Sequence, residues 1–160
     1  MIRKIGSVLA FLLTFPVCVI SNDVGTFEGM GYQRNYSPSD YQGHPQNWSV
    51  IQDNSGRVYF ANNYGVLSFD GSEWETIPIP GNMSARSLAL GNDGILYVAA
   101  KNDFGFIALD SLGKRCYFSL KYLLDDSLQV NLDLRQVLIR GNDVYYRSNE
   151  MLIRYSENKL

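Results

Sequence analysis

Few side chains in this 160-residue sequence have the types and spacing that catalysis requires. His44 is the one histidine, which excludes a metal site with several histidine ligands and disfavours a histidine-based triad. Asp125 and Asp126 could be imagined as a catalytic carboxylate pair, but adjacent aspartates in a polar stretch are more often a solvated loop. The sequence contains no nucleophile elbow, phosphate-binding glycine loop or metal-ligand cluster. We therefore predict that the chain is not an enzyme and uses no metal or cofactor.

Two short groups of polar and aromatic residues are better suited to binding than to catalysis. The predicted ligand-binding residues are Asn62, Asn63, Tyr64, Lys101, Asn102 and Phe104. Their amide and ammonium groups can bond to sugar hydroxyls, and their aromatic rings can stack on the faces of sugar rings. The alternative is that Asn62 and Asn63 only shape a tight turn, a role for which asparagine is well suited.

An internal repeat indicates which elements position these residues. The segment 48–61 aligns with the segment 86–99, which places Tyr59 opposite Tyr97. A third copy begins at residue 136 and contains Tyr145 at the corresponding place. The interval from Tyr97 to Tyr145 is longer than that from Tyr59 to Tyr97, which predicts an insertion within residues 118–134. A recurring unit of this length is typical of stacked repeat architectures.

Each copy contains short β-rich runs separated by polar turns. In the first two copies the turns end in Gly56 and Gly94, just before runs of strand composition. Glycine adopts the left-handed backbone conformation without steric cost. The third copy has Asn142 at this place, and asparagine is the next most tolerant residue. We therefore predict one turn geometry for all three copies.

A period near forty residues with about four strands is typical of a β-propeller blade. We predict an all-β fold of about three consecutive four-stranded blades that form an incomplete ring. The predicted parts are a lead-in segment (22–46), repeat 1 (47–84), repeat 2 with its insertion (85–134) and a partial repeat 3 (135–160). Because a blade is apolar on both faces, it needs neighbours to bury them. The residues expected in the core between blades are Trp48, Val50, Leu88, Leu90, Val137 and Ile139.

The first 21 residues have the pattern of a secretory signal peptide. Arg3 and Lys4 precede an apolar run that ends in small residues before Asn22. The run is too short, and too interrupted by Pro16, for a typical membrane span. We expect cleavage, a periplasmic location and no membrane span afterwards; a retained N-terminal anchor is the alternative. Removal of the two basic residues shifts the formal charge from −2 to −4, and no basic cluster remains that could bind nucleic acid.

The lead-in segment and the first repeat resemble a known family. The run from Asn35 to Trp48, Asn-Tyr-Ser-Pro-Ser-Asp-Tyr-Gln-Gly-His-Pro-Gln-Asn-Trp, and the later motif Phe69-Asp-Gly-Ser-Glu-Trp74 carry the resemblance. It is to the two-component-regulator propellers, the periplasmic ligand-binding regions of hybrid histidine kinases and related transcription regulators in Bacteroidetes. It covers roughly residues 32–155. The strands differ from the commonest family repeat, which has a tryptophan and a Gly-Thr pair.

This resemblance implies a function and partners. Full members of the family carry seven-bladed propellers, a membrane helix and cytoplasmic signalling parts, and many sense oligosaccharides. We therefore expect the N-terminal fragment of an extracytoplasmic sensor propeller, with an oligosaccharide as ligand. The remaining blades would come from a longer chain or from a homodimer partner. The alternatives are the start of a propeller-type polysaccharide lyase or glycosidase, and a truncated product without a stable fold.

Overall fold

A computed structural model of the chain describes residues 33–157 and 159–160. Met1–Arg34 and Asn35–Leu160 form two separate units, and every element named below belongs to the second. The predicted signal peptide, residues 1–21, and the first part of the lead-in segment lie outside the described residues. Within the described ranges, no helix has the length and apolar character needed to cross a membrane.

The described residues form eleven strands, one short α-helix, α1 (Pro38–Tyr41), and two single-turn 3-10 helices, at Lys121–Leu123 and Asp126–Leu128. The first sheet contains β1 (Asn47–Gln52), β2 (Val58–Asn62), β3 (Gly65–Phe69) and β4 (Trp74–Ile77). The second contains β5 (Ala85–Leu90), β6 (Leu96–Ala100), β7 (Asp103–Leu109) and β8 (Arg115–Ser119). The third contains β9 (Gln136–Arg140), β10 (Asp143–Arg147) and β11 (Leu152–Tyr155).

In every sheet, strands that follow one another in sequence pair antiparallel, so each sheet is a simple meander. Strand β1 contacts β5, and β5 contacts β9, which brings the first strands of the three sheets together. This arrangement confirms the predicted all-β fold of consecutive propeller-type sheets in an open series. The third sheet has three strands in the described part of the chain, one fewer than a full blade.

The turns between the first two strands of each sheet are only partly alike. Gly56 and Gly94 have positive φ angles of 90° and 79°, as predicted. In the third sheet, however, the positive φ belongs to Gly141, at 63°, and the prediction that Asn142 takes the glycine position is wrong. The reason is that Arg140 pairs directly with Asp143, which leaves a two-residue loop. Such a loop needs glycine at its first central position in a type II′ turn.

The three tyrosines that defined the repeat have equivalent orientations. Tyr59 belongs to the apolar cluster between the first and second sheets, and Tyr97 to the cluster between the second and third. Tyr145 lies on the face of β10 opposite its buried neighbours Val144 and Tyr146. Each tyrosine therefore points to the side on which a following sheet would pack.

The same three tyrosines share a hydrogen bond as well as an orientation. The hydroxyl groups of Tyr59, Tyr97 and Tyr145 donate to aspartate carboxylates 3.2, 3.2 and 3.3 Å away, on Asp53, Asp93 and Asp143. These aspartates precede their tyrosines by different numbers of residues. The interaction is thus kept although the turns that supply the carboxylates differ.

The predicted core between the sheets needs correction at two of its six residues. Leu88 and Val137 are buried, but Val50 at the corresponding place in β1 is 62% exposed, and Trp48 is 46% exposed. Leu88 packs between the first and second sheets and Val137 between the second and third. Val50 lies on the other face of the first sheet, on which no sheet packs in the described part of the chain.

The lead-in segment covers part of that free face. The rings of Tyr36 and Tyr41 lie 5.3 and 5.4 Å from the ring of Trp74, centroid to centroid, and Phe69 stacks on Trp74 at 4.6 Å. Helix α1 contacts β4 at this place. The lead-in segment therefore buries aromatic surface on the first sheet that a preceding blade would otherwise cover.

Candidate functional site

The six predicted ligand-binding residues lie in or beside two equivalent loops. Asn62 pairs with Gly65, and Ala100 pairs with Asp103, so each loop has two residues at its tip. Asn63 and Tyr64 form the β2–β3 tip; Lys101 and Asn102 form the β6–β7 tip. Asn62 and Phe104 lie within the adjoining strands instead.

Asn62 is fully buried and holds the lead-in segment in place. Its Nδ2 donates to the backbone oxygen of His44 at 2.7 Å and to Oδ1 of Asn47 at 2.8 Å. Its Oδ1 accepts from the backbone nitrogens of His44 and Tyr64, both at 3.0 Å. These bonds satisfy a polar group that would be costly to bury without partners.

Phe104 is also fully buried. Its ring lies 4.8 Å from that of Tyr146, in the cluster between the second and third sheets. The side chain therefore packs the two sheets together behind the loop. The turn role that the sequence offered as an alternative fits Asn62, and a packing role fits Phe104.

Asn63 and Tyr64 face outward and organise the surface around them. Oδ1 of Asn63 accepts a hydrogen bond from Nε1 of Trp48 at 2.8 Å, and its Nδ2 lies 3.1 Å from Nδ1 of His44. The His44 ring meets the Tyr64 ring edge-on at 5.4 Å. Tyr64 is 57% exposed. The loop tip thus fixes two aromatic rings that remain accessible to solvent.

Trp48 and Arg86 belong to this surface although the sequence did not predict them as site residues. Each is the extra residue of a β-bulge, between Asn47 and Ser49 in β1 and between Ala85 and Ser87 in β5. A bulge redirects the side chain that it carries and is frequent near binding sites. Here the guanidinium carbon of Arg86 lies 4.2 Å from the centroid of the Trp48 ring, a cation–π contact. The repeat alignment does pair Trp48 with Arg86, and this pairing of an aromatic residue with a cation was the available signal.

A cleft of about 510 Å³ continues this surface beside Arg86. Its lining comprises Met83, Arg86, Lys101, Asn102, Asn131, Leu132 and Asp133. The segment between β8 and β9 closes one side, since the backbone nitrogen of Asn102 bonds to the carbonyl oxygen of Leu132. The predicted insertion therefore supplies one wall of the cleft.

Two residues that line the cleft each have a buried polar atom with no hydrogen-bond partner among the described residues. These atoms are Nε of Arg86 and Oδ1 of Asn102. Asn102 adopts a positive φ of 62°, a conformation that asparagine tolerates better than most residues. An unpartnered donor and an unpartnered acceptor in one cleft provide places for a ligand to bond.

The cleft has an excess of positive charge. Asp133, its acidic residue, forms an ion pair with Arg135 at 2.6 Å. Within residues 33–157, neither Arg86 nor Lys101 forms an ion pair. The acidic side chain is thus neutralised by another residue, and two cations remain available.

A second cleft, of about 270 Å³, has a different character. The Tyr59 hydroxyl donates to Asp53 and accepts from Nε of Arg115 at 3.1 Å. Burial raises the pKa of Tyr59, and the Arg115 bond opposes that rise. Burial alone would raise the pKa of Asp53, but hydrogen bonds from Ser55 and the Arg57 backbone outweigh it and lower that pKa. These polar groups satisfy one another, which is typical of a structural network.

Few groups suited to metal or nucleophilic chemistry occur in the described ranges. No cluster of three or more histidine, cysteine, aspartate or glutamate side chains is found there. Partial burial and the nearby Asp110 carboxylate raise the pKa of the Cys116 thiol, which disfavours the reactive thiolate at neutral pH. Nδ1 of His44 accepts from the backbone nitrogen of Gln46 at 3.0 Å, which occupies one ring nitrogen.

Comparison with known proteins finds similarity in solved structures alone: no protein-family model and no curated protein matches this sequence. Virginiamycin B lyase from Staphylococcus aureus matches with a TM-score of 0.45 and 12% identity, over 76% of this chain and 44% of the lyase chain. The extracellular domain of a putative one-component system from B. thetaiotaomicron matches with a TM-score of 0.43 and 11% identity, over 74% of this chain and 22% of that one. This chain spans less than half the length of either structure. The likeness concerns the type of fold alone.

These comparisons correct the prediction about enzymatic activity. No family model matches the resemblance that the sequence suggested. The prediction that the chain is not an enzyme is contradicted, because virginiamycin B lyase and a streptogramin B lyase are among the structures with this type of fold. The missing catalytic motifs in the sequence therefore do not exclude an activity. The resemblance to the two-component-regulator propellers stays an interpretation of the sequence.

Proposed function

We propose that this chain is the ligand-binding region of an extracytoplasmic sensor and that it binds a carbohydrate on the face formed by the β2–β3 and β6–β7 loops. The observation that carries this proposal is the continuous surface of aromatic and polar side chains on that face. From one end to the other it consists of Tyr64, His44, Asn63, Trp48, Arg86, Lys101 and Asn102.

The chemistry of this surface suits a sugar. Sugars present apolar C–H faces that stack on aromatic rings and hydroxyls that bond to amides and cations. Trp48 and Tyr64 are about half exposed, and hydrogen bonding to Asn63 holds the Trp48 ring in place. A fixed aromatic ring loses little conformational entropy when a ligand binds.

The sensor role and the periplasmic location rest on the sequence. The signal-peptide pattern of residues 1–21 supports export, and the family resemblance supports a regulatory role. Under this proposal the remaining blades belong to a longer chain or to a homodimer partner, and other parts of the protein transmit the signal.

Calorimetric titration of the chain with a panel of oligosaccharides tests the binding function. We expect at least one member to bind, and Trp48→Ala and Tyr64→Ala each to weaken binding by about two- to tenfold, since stacking contributes roughly 0.5–1.5 kcal/mol beyond area burial. Tyr122→Ala is the matched control, because Tyr122 is 72% exposed and lies outside the surface. If the chain binds no saccharide, or if all three variants bind as tightly as the wild type, the proposed site is wrong.

A further inference from the structure

We propose that the cleft lined by Arg86, Lys101 and Asn102 binds the carboxylate of an acidic sugar, so that the ligand is a uronate-containing oligosaccharide. This inference rests on the proposed function, since it specifies which class of carbohydrate the surface selects. It depends on the charge and the unpartnered polar atoms of the cleft, whereas the binding function depends on the aromatic rings.

Two features of Arg86 favour an anion as its ligand: the position of its guanidinium beside Trp48 and its unpartnered Nε donor. Its guanidinium carbon lies 4.2 Å from the centroid of the Trp48 ring, and its buried Nε donates to no described residue. A buried donor without a partner is destabilising, because it has lost its bonds to water and gained none in return. A carboxylate can bond to two N–H groups of a guanidinium at once, which would satisfy this donor and add charge-assisted bonds.

The surrounding charges favour an anion over a neutral group. Lys101 extends from the adjoining loop tip with no ion pair among the described residues, and Asp133 is neutralised by Arg135. The backbone nitrogen of Lys101 donates to the Ser84 carbonyl oxygen at 2.9 Å, which anchors the loop that carries this cation. Arg86 and Lys101, which form no ion pair among the described residues, therefore lie next to a pair of bonded strand residues, Ala85 and Ala100.

Asn102 indicates that the anion is part of a larger, hydroxylated molecule. Its buried Oδ1 is an acceptor without a partner, and it would repel a bare anion. A uronate supplies both complements, since its ring carries a carboxylate and hydroxyl donors on neighbouring carbons. The cleft of about 510 Å³ is also within the usual range of small-molecule sites, about 300–1,000 Å³, and is large for a single ion.

The test compares acidic oligosaccharides with their carboxyl-reduced counterparts, which have the same linkages but no charge. Galacturonate and glucuronate oligosaccharides are titrated in both forms into the full chain and into Arg86→Gln, Arg86→Lys and Lys101→Gln. Arg140→Gln is the matched control, because Arg140 is exposed on β9 and forms no part of the cleft. Chemical denaturation of each variant establishes that it is folded.

We expect the wild type and Arg140→Gln to bind one acidic oligosaccharide at least tenfold more tightly than its reduced form. Arg86→Gln should lose this preference, and Arg86→Lys should retain only part of it. Lys101→Gln should reduce the preference without changing the position of the Trp48 ring. Should Arg86→Gln fail to fold, the preference measured for Lys101→Gln decides the question, and an unchanged preference overturns the inference. Equal binding of acidic and reduced forms also overturns it but leaves the proposed function intact. If no saccharide binds, both are overturned.

Discussion

Asn62 and Asn63 are neighbours in the chain, yet the Asn62 side chain lies in the interior and the Asn63 side chain lies at the surface. The Asn62 amide is fully buried and bonds to His44 and Asn47, whereas the Asn63 amide faces the surface and accepts from the Trp48 indole at 2.8 Å. The first residue therefore anchors the lead-in segment, and the second orients a ring of the proposed binding surface.

This division predicts different effects of two similar substitutions. Asn62→Ala removes the partners of buried groups in the lead-in segment and should lower the free energy of unfolding by about 2–4 kcal/mol. Asn63→Ala should change it by less than about 1 kcal/mol and should instead weaken ligand binding. Urea denaturation followed by tryptophan fluorescence measures the first effect, and calorimetric titration measures the second. Equal stability losses in the two variants would contradict the assignment.

Tyr145 and Tyr146 provide a second matched pair. The hydroxyl of Tyr146 is buried and donates to the Gly105 carbonyl oxygen at 2.9 Å, which ties the third sheet to the second. We expect Tyr146→Phe to lower the free energy of unfolding by about 1–3 kcal/mol, because the buried carbonyl loses its partner. Tyr145→Phe removes a bond at a half-buried place and should cost less than about 1 kcal/mol. Thermal and urea unfolding measure both losses. A larger loss for Tyr145→Phe than for Tyr146→Phe would contradict the prediction.

The repeat made much of the fold predictable, because its signals are local. Polar turns with glycine at Gly56 and Gly94 and strand-like runs after them determine the hairpins, and consecutive hairpins form meanders. The surroundings of Trp48 could not be predicted in this way. Its exposure depends on a bulge in β1 and on Arg86 from the next sheet, and neither contact is encoded in the residues around it.

The candidate site shows the same limit. The loop tips at Asn63 and Lys101 follow from turn residues between strands, so the sequence located them. Whether Asn62 and Phe104 face a ligand or the interior depends on what packs behind them, the lead-in segment in one case and the third sheet in the other. Such contacts between distant segments leave no periodic pattern in the sequence.

Gly105 yields a prediction about close backbone approach. A Cβ atom at this position would overlap the carbonyl oxygen of Phe118 on the adjacent strand β8. We therefore expect Gly105→Ala to lower the free energy of unfolding by about 3 kcal/mol or more. In Gly94→Ala the methyl group meets open space, and the cost is that of a left-handed backbone, roughly 1–2 kcal/mol. A loss at Gly105 no larger than that at Gly94, measured by urea denaturation, would show that β7 and β8 are not packed this closely.

Because of Tyr97, the free energy of unfolding varies with pH in the alkaline range. Burial, followed by the negative charge of Asp93, raises the pKa of Tyr97 from 10.0 to about 12. Below about pH 10 the phenol is protonated in both folded and unfolded chains, and stability is unaffected by its titration. Between about pH 10 and 12 the unfolded chain releases this proton and the folded chain retains it, so the free energy of unfolding must fall as the pH rises.

Tyr97→Phe removes this titration and should make stability fall less steeply between about pH 10 and 12, although the variant also loses its bond to Asp93. Asp93→Asn should have the same direction of effect, because removing the carboxylate lowers the pKa of Tyr97 in the folded chain. Tyr122→Phe is the control, since Tyr122 is largely exposed. Urea midpoints at several alkaline pH values, together with tyrosinate absorbance, measure the effect. A Tyr97→Phe slope identical to that of the wild type would mean that Tyr97 is not buried between the second and third sheets.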